Sequence, residues 1–247
     1  MARLCLSIVV SFLLMAAFAP LKTAAAEDLS REQVEEIVRD YLLREPEIVY
    51  QALQELQRKQ DQARVANAAR AIEANKAALF DNPDDPKIGA EDPAVTVVEF
   101  FDYRCGFCRR MVPAITETLE SQSDVRLVLK ELPVLGPDSV RASRAALASR
   151  MQDEDLYGDF HFALLEADDL SEGGLVKIAE GIGLDGEQLL VDMDKEEIDQ
   201  MIDANYALAS ALGIEGTPAF IIGDEFMPGA IDLNTMMQAI ERQREKS

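Results

Sequence analysis

Apolar positions recur with helical spacing near the start, middle and end of this chain, and as short β-forming runs between those stretches. Ser30 and Gln33 form a capping box, after which Val34, Ile37, Val38, Tyr41 and Leu42 line one helix face. Pro46 ends that helix or opens the next, whose apolar face holds Ile48, Val49, Ala52, Leu53 and Leu56 before an alanine-rich stretch from Gln60 to Ala78. A heptad read through Val49, Leu53, Leu56, Gln60, Ala63, Asn67 and Arg70 loses its apolar character after Leu56, so a long coiled coil is not predicted. Residues 27–80 are an N-terminal helical segment with two open uses: homo-oligomerisation, or packing as a hairpin on the rest of the chain.

The turn formers and charges of Asp81-Asn82-Pro83-Asp84-Asp85-Pro86 open a predicted linker over 81–93. Beyond it, residues 94–247 alternate between strand and helix. Val95 to Phe101 is a nearly continuous apolar run, as expected of a strand covered on both faces. Cys105 to about Gln122 is helical and Val125 to Leu132 is a second strand, which reads as a parallel βαβ unit. Only helical signals follow over about 137–212, with breaks near Asp153, Ser171 and Gly183. Strand character resumes at Pro218 to Ile222 and again around Glu225 to Met227, and Asp232 caps a terminal helix reaching about Arg244. The predicted class is α/β, with sheet-forming segments split around an inserted helical domain.

Composition narrows the function. At 247 residues with 48% hydrophobic and 28% charged positions, the chain is neither disordered nor fibrous. Its 46 acidic against 24 basic residues leave a formal charge of −22, which argues against nucleic acid and anionic lipid as partners. Arg3, the apolar run Leu4 to Ala19 and the small residues Ala24-Ala25-Ala26 read as a secretory signal over 1–26, cut before Glu27. The run is shorter than the roughly 20 residues a membrane span needs, so no membrane insertion is expected after its removal. Cys5 leaves with the signal. The mature chain then has one C-x-x-C, Cys105 and Cys108, in a compartment where disulfides persist. Two cysteines and the single His161 do not make a four-ligand zinc site, and His161 is expected to be a packed or half-exposed helix residue.

The chemistry centres on Phe100-Phe101-Asp102-Tyr103-Arg104-Cys105-Gly106-Phe107-Cys108-Arg109-Arg110, where a buried strand runs into a helix whose first turn holds both cysteines. The helix N-terminus stabilises a thiolate at Cys105, and Arg104, Arg109 and Arg110 are expected to add positive charge nearby. Cys105 is the expected nucleophile and Cys108 the resolving thiol. A purely structural disulfide is the weaker reading, because a loop of two residues constrains the unfolded chain little. Glu99 interrupts the apolar run before the cysteines, a costly place for a charge unless it is paired or functional.

The Cys-Gly-Phe-Cys motif after Glu-Phe-Phe-Asp-Tyr-Arg, the helical insertion, and Gly216-Thr217-Pro218-Ala219-Phe220 opening a late strand together resemble the thioredoxin superfamily in its DsbA-like periplasmic branch. The likeness covers about Ala94 to Ser247, and the helical segment before it is similar to ScsC-like members. The resemblance implies a thioredoxin fold with Cys105 attacking, Cys108 resolving and Pro218 in cis facing them. It implies that the Thr217 backbone pairs with an extended substrate chain. It also implies that Glu99, with Lys130 on the next strand, handles protons during exchange. Gly106 and Phe107 replace the proline and histidine of strongly oxidising members, which points toward isomerases and away from a pure oxidase. The expected function is cofactor-free thiol-disulfide exchange with unfolded or misfolded exported proteins, of isomerase or oxidase type, with a membrane redox partner. The alternatives are a reductase kept reduced by such a partner, and a binding or chaperone module whose cysteines are incidental.

Overall fold

The computed structural model describes residues 29–246, so the expected signal segment 1–26 lies outside the described residues. Two compact units divide between Gln57 and Arg58. In the first, α1 spans Arg31–Arg44 and α2 begins at Glu47; α2 itself runs to Ala74. The capping box forms as predicted: Gln33 N–H donates to Ser30 Oγ and the Gln33 side chain accepts from the Ser30 N–H at 2.8 Å. No residue of α1 is buried, and the whole predicted apolar stripe from Val34 to Leu56 is exposed.

The second unit is built on a five-stranded sheet in the order β1-β3-β2-β4-β5. Its strands are β1 (Lys87–Gly89), β2 (Val95–Phe101), β3 (Val125–Glu131), β4 (Ala219–Ile222) and β5 (Glu225–Pro228). The predicted parallel β2–β3 pair is present, joined by α3 (Gly106–Ser121). Every other neighbouring pair is antiparallel. The insertion between β3 and β4 comprises α4 (Pro137–Gln152), α5 (Tyr157–Glu166), α6 (Glu172–Ile182), α7 (Gly186–Asp192) and α8 (Glu196–Leu212), and α9 (Leu233–Arg244) closes the chain. The predicted breaks are where the helices stop: Asp153 follows α4, Ser171 caps α6 and Gly183 ends it in a left-handed conformation. Asp232 caps α9 by accepting from the Thr235 N–H.

Because β2 and β3 pair in phase, residues of like parity share a face. One face presents Val97, Phe101, Leu127, Leu129, Phe220 and Ile222 to a core that includes both cysteines, α3, α9 and most of the insertion. The other presents Val98, Phe100, Val128, Ala219 and Ile221 to Leu208, Ala209 and Leu212 of α8, and to Ile72 and Leu79 from before the expected linker.

The expected linker at 81–93 is corrected accordingly. Lys87–Gly89 adds a strand to the edge of β3, and Asp85 is buried. At Gly89 (φ +102°) a Cβ would sit 2.5 Å from the Val125 carbonyl oxygen, so only glycine lets this short strand close on its neighbour. The turn-rich composition was a real signal for irregular backbone. It did not reveal that this backbone packs on the sheet.

Candidate active site

Asp102, buried at the end of β2, shapes the loop that delivers the cysteines. Its Oδ1 accepts from the Arg104 N–H and from Ser139 Oγ, both at 2.7 Å, and its Oδ2 accepts from the Leu135 N–H at 3.0 Å. Its carbonyl accepts from the Cys105 N–H at 3.0 Å. Cys105 is thereby the N-cap of α3, with the first-turn amides around it, and Cys108 lies one turn on. The Cys105 thiol donates to the Thr217 carbonyl at 3.2 Å, and the Thr217–Pro218 peptide bond is cis. The loop before β4 thus meets the N-terminus of α3, as the resemblance implied.

The two thiols differ in burial, 6% against 1% exposed. Burial pushes the Cys105 thiol up, but hydrogen bonds from the Thr217 side chain, from Cys108 and from the Phe107 backbone outweigh it and hold the thiol below its ordinary range. Burial and the neighbouring Glu99 carboxyl push Cys108 far up. Hydrogen bonds, rather than the expected arginines, are the main stabilisers of the Cys105 thiolate. Arg109 turns away to donate to the Ala167 carbonyl and approach Asp168 at 3.6 Å in the insertion. The Arg110 guanidinium lies 4.1 Å from the centroid of the exposed Phe107 ring.

Glu99 shares a face with both cysteines. It is buried, its Oε2 has no hydrogen-bond partner among the described residues, and its carboxyl is raised to about 8, by burial first and by Cys105 second. The expected Glu99–Lys130 pair does not form. Glu99 is opposite Leu129 while Lys130 is opposite Phe100, so the two side chains leave the sheet on opposite faces. Lys130 instead forms a salt bridge with Asp85 and donates to the Ala78 carbonyl at 2.7 Å.

A second buried acid, Glu131, escaped the sequence reading. Glu131 ends β3 buried among hydroxyls, accepting from Ser143 Oγ at 2.6 Å, Tyr103 at 3.0 Å and Tyr157 at 3.4 Å. Burial raises it to about 8. The signal that exposed Glu99, an acid within an apolar run, was equally present there. His161 is packed, as expected. Its Nδ1 lies 3.0 Å from the Tyr103 hydroxyl, and burial lowers it to about 3.

Comparison with known proteins agrees with this geometry. The family described as "DSBA-like thioredoxin domain" matches residues 96–241, and "Copper resistance protein ScsC N-terminal domain" matches residues 31–63. The chain belongs to the DSBA-like thioredoxin domain family, whose members are thiol-disulfide oxidoreductases. A thioredoxin-like oxidoreductase from Silicibacter pomeroyi DSS-3 is 40% identical with a TM-score of 0.67, covering 70% of this chain and 99% of that one. Proteus mirabilis ScsC in a transitional conformation is 30% identical with a TM-score of 0.67, covering 89% of this chain and all of that one. Disulfide bond formation protein D of Bacillus subtilis is 27% identical over 171 residues, 64% of this chain and 76% of the relative. Some curated relatives are much longer: the chain spans 27% of a protein named Na(+)/H(+) antiporter NhaA from Herminiimonas arsenicoxydans.

Proposed function

We propose that the chain is an exported, periplasmic protein that exchanges disulfides with unfolded or misfolded exported proteins through Cys105-Gly106-Phe107-Cys108, as an isomerase or oxidase. The asymmetry of the two thiols supports this most directly: Cys105 is lowered, less buried and bonded beside cis-Pro218, and Cys108 is sealed and raised. The Cys105 thiolate attacks a substrate disulfide, forms a mixed disulfide and expels the other substrate sulfur as a thiolate. Either a second substrate thiol then displaces Cys105, which isomerises the substrate, or Cys108 does, which reduces it and leaves the Cys105–Cys108 disulfide. The reverse sequence oxidises a dithiol, and a membrane partner resets the pair. Glu99 accepts the Cys108 proton in the resolving step, its unpaired Oε2 supporting that role.

Trapping tests the assignment. Cys108→Ser should accumulate mixed disulfides on non-reducing gels and Cys105→Ser should not; equal trapping by both overturns it. Insulin reduction by the wild type and not by Cys105→Ser separates exchange from mere binding. The redox state of the cysteines in the periplasm sorts the subtypes, mostly oxidised for an oxidase and mostly reduced for an isomerase or a partner-fed reductase.

The exposed apolar stripe of α1 and the start of α2 supports homo-oligomerisation as its use. Linked active sites raise the local concentration of binding surface around one misfolded chain, which favours holding it until a second thiol attacks. Light scattering should give a dimer or larger. Leu53→Glu with Leu56→Glu should give a monomer that loses scrambled-ribonuclease refolding and keeps insulin reduction. A monomeric wild type ends the proposal.

A further inference from the structure

Arg104 and Arg110 flank the reactive cysteine, and the stabilisation of its thiolate does not account for them. Both are exposed. In the same folded unit Arg109, Arg141, Arg144, Arg150, Arg242 and Arg244 each have a carboxylate within ion-pair distance, Arg126 donates to the Ala90 and Glu91 carbonyls, and Arg70 donates to Asn67. Arg104 and Arg110 have no such partner among the described residues, in a chain where acids outnumber bases 46 to 24. An arginine left without a carboxylate amid such a surplus is available to one from outside.

We propose that Arg104, Phe107 and Arg110 select substrate segments with a carboxylate side chain within a residue or two of the disulfide-bonded cysteine. The selection rests on the exchange function proposed above and adds its substrate class. Phe107, 57% exposed, lies under the Arg110 guanidinium and engages its face. The guanidinium edge, where its N–H donors lie, stays free to take a carboxylate in paired hydrogen bonds. The ring itself offers apolar surface to the residue beside that acid. Leu135, also exposed, is held to the loop before Cys105 by its N–H bond to Asp102 and adds a second apolar side chain there. The acidic body repels an acidic chain at long range, but that field fades within about 8 Å at physiological ionic strength, whereas the arginines act in contact.

The test uses reduced full-length protein and three short peptides with one internal disulfide, identical except for Glu, Gln or Lys beside the cysteine. Second-order exchange rates are measured by quenched flow, and the readout is the Glu-to-Lys rate ratio, in which any uniform change in Cys105 reactivity cancels. From wild type to R104E/R110E the ratio should fall about tenfold or more, and with R104Q or R110Q alone about twofold to threefold, the scale of exposed ion pairs. The single neutral variants decide the matter if the double variant shows an altered melting curve. Rates that exceed those of Cys105→Ser with a ratio unchanged in every variant overturn the selection alone. Wild-type rates no faster than Cys105→Ser for every peptide overturn the exchange function and the selection with it.

Discussion

Glu99 and Lys130 stand on neighbouring strands, each inside an apolar run and each sealed from solvent, but the fold treats their charges in opposite ways. Lys130 faces the core that Leu79 and Ile72 complete, and there the chain supplies both an acid and a carbonyl. Burial draws Lys130 down and Asp85 up, toward their neutral forms, while their mutual attraction draws both back. Glu99 faces the core that contains the cysteines, and its Oε2 has no partner among the described residues. A buried charge given both an acid and a carbonyl serves the scaffold, and a buried acid left with an unpartnered oxygen is where the chemistry sits. Glu131, whose two carboxyl oxygens share three hydroxyl donors, belongs with Lys130 by this criterion despite its raised carboxyl.

Lys130 depends most on the acid that Asp85 supplies. Asp85→Ala leaves Lys130 buried against a single carbonyl and should cost about 3–5 kcal/mol in urea unfolding at pH 7. A loss under about 1 kcal/mol would mean that the pair contributes no more than an exposed one.

Glu99→Gln should move stability the other way. The native state keeps the Glu99 proton up to about pH 8, while the unfolded chain releases it near its ordinary 4.5. Native stability from this group is therefore complete below about 4.5 and falls as pH rises to about 8, by about 1.4 kcal/mol per pH unit. The glutamine variant lacks that slope, so it should match the wild type near pH 4 and exceed it by a few kcal/mol near pH 8. Its release of mixed disulfides should be slower and should not accelerate between pH 6 and 8. A release rate that keeps the wild-type pH profile would remove Glu99 from proton handling.

Ser143→Ala takes from Glu131 Oε2 its only donor among the described residues and should cost about 1–3 kcal/mol while leaving exchange rates unchanged. Last, replacing both members of the other pair, Asp85→Leu with Lys130→Met, should change stability by less than about 1 kcal/mol, since a buried pair and its apolar equivalent are nearly balanced.

What the sequence conceals is the partner, more than the charge. Glu99 and the C-x-x-C stand out because one strand and one helix start are enough to judge them. The partner of Lys130 depends on pairing register: with Glu99 opposite Leu129, the expected pair is split across the sheet. Asp85 lies among prolines and acids that read as solvated linker, and β1 has three residues, too few for a visible alternation. The insertion was legible because its helices stop at residues with a local reason to stop, Ser171 and Gly183 among them. The cis bond before Pro218 came from resemblance, since residue types alone permit either isomer.

The two residues between the cysteines have almost no duty to the fold. Gly106 adopts none of the positive-φ conformations that demand glycine, and a Cβ added there would meet nothing within 4 Å. Phe107 stands mostly in solvent. Mutation can therefore explore this dipeptide without risking the folded state, and selection sees each trial through the reactivity of the flanking sulfurs and through the substrate segments that position 107 admits. A lineage holding this scaffold can retune its redox poise in one or two codon changes, leaving sheet, insertion and substrate loop as inherited.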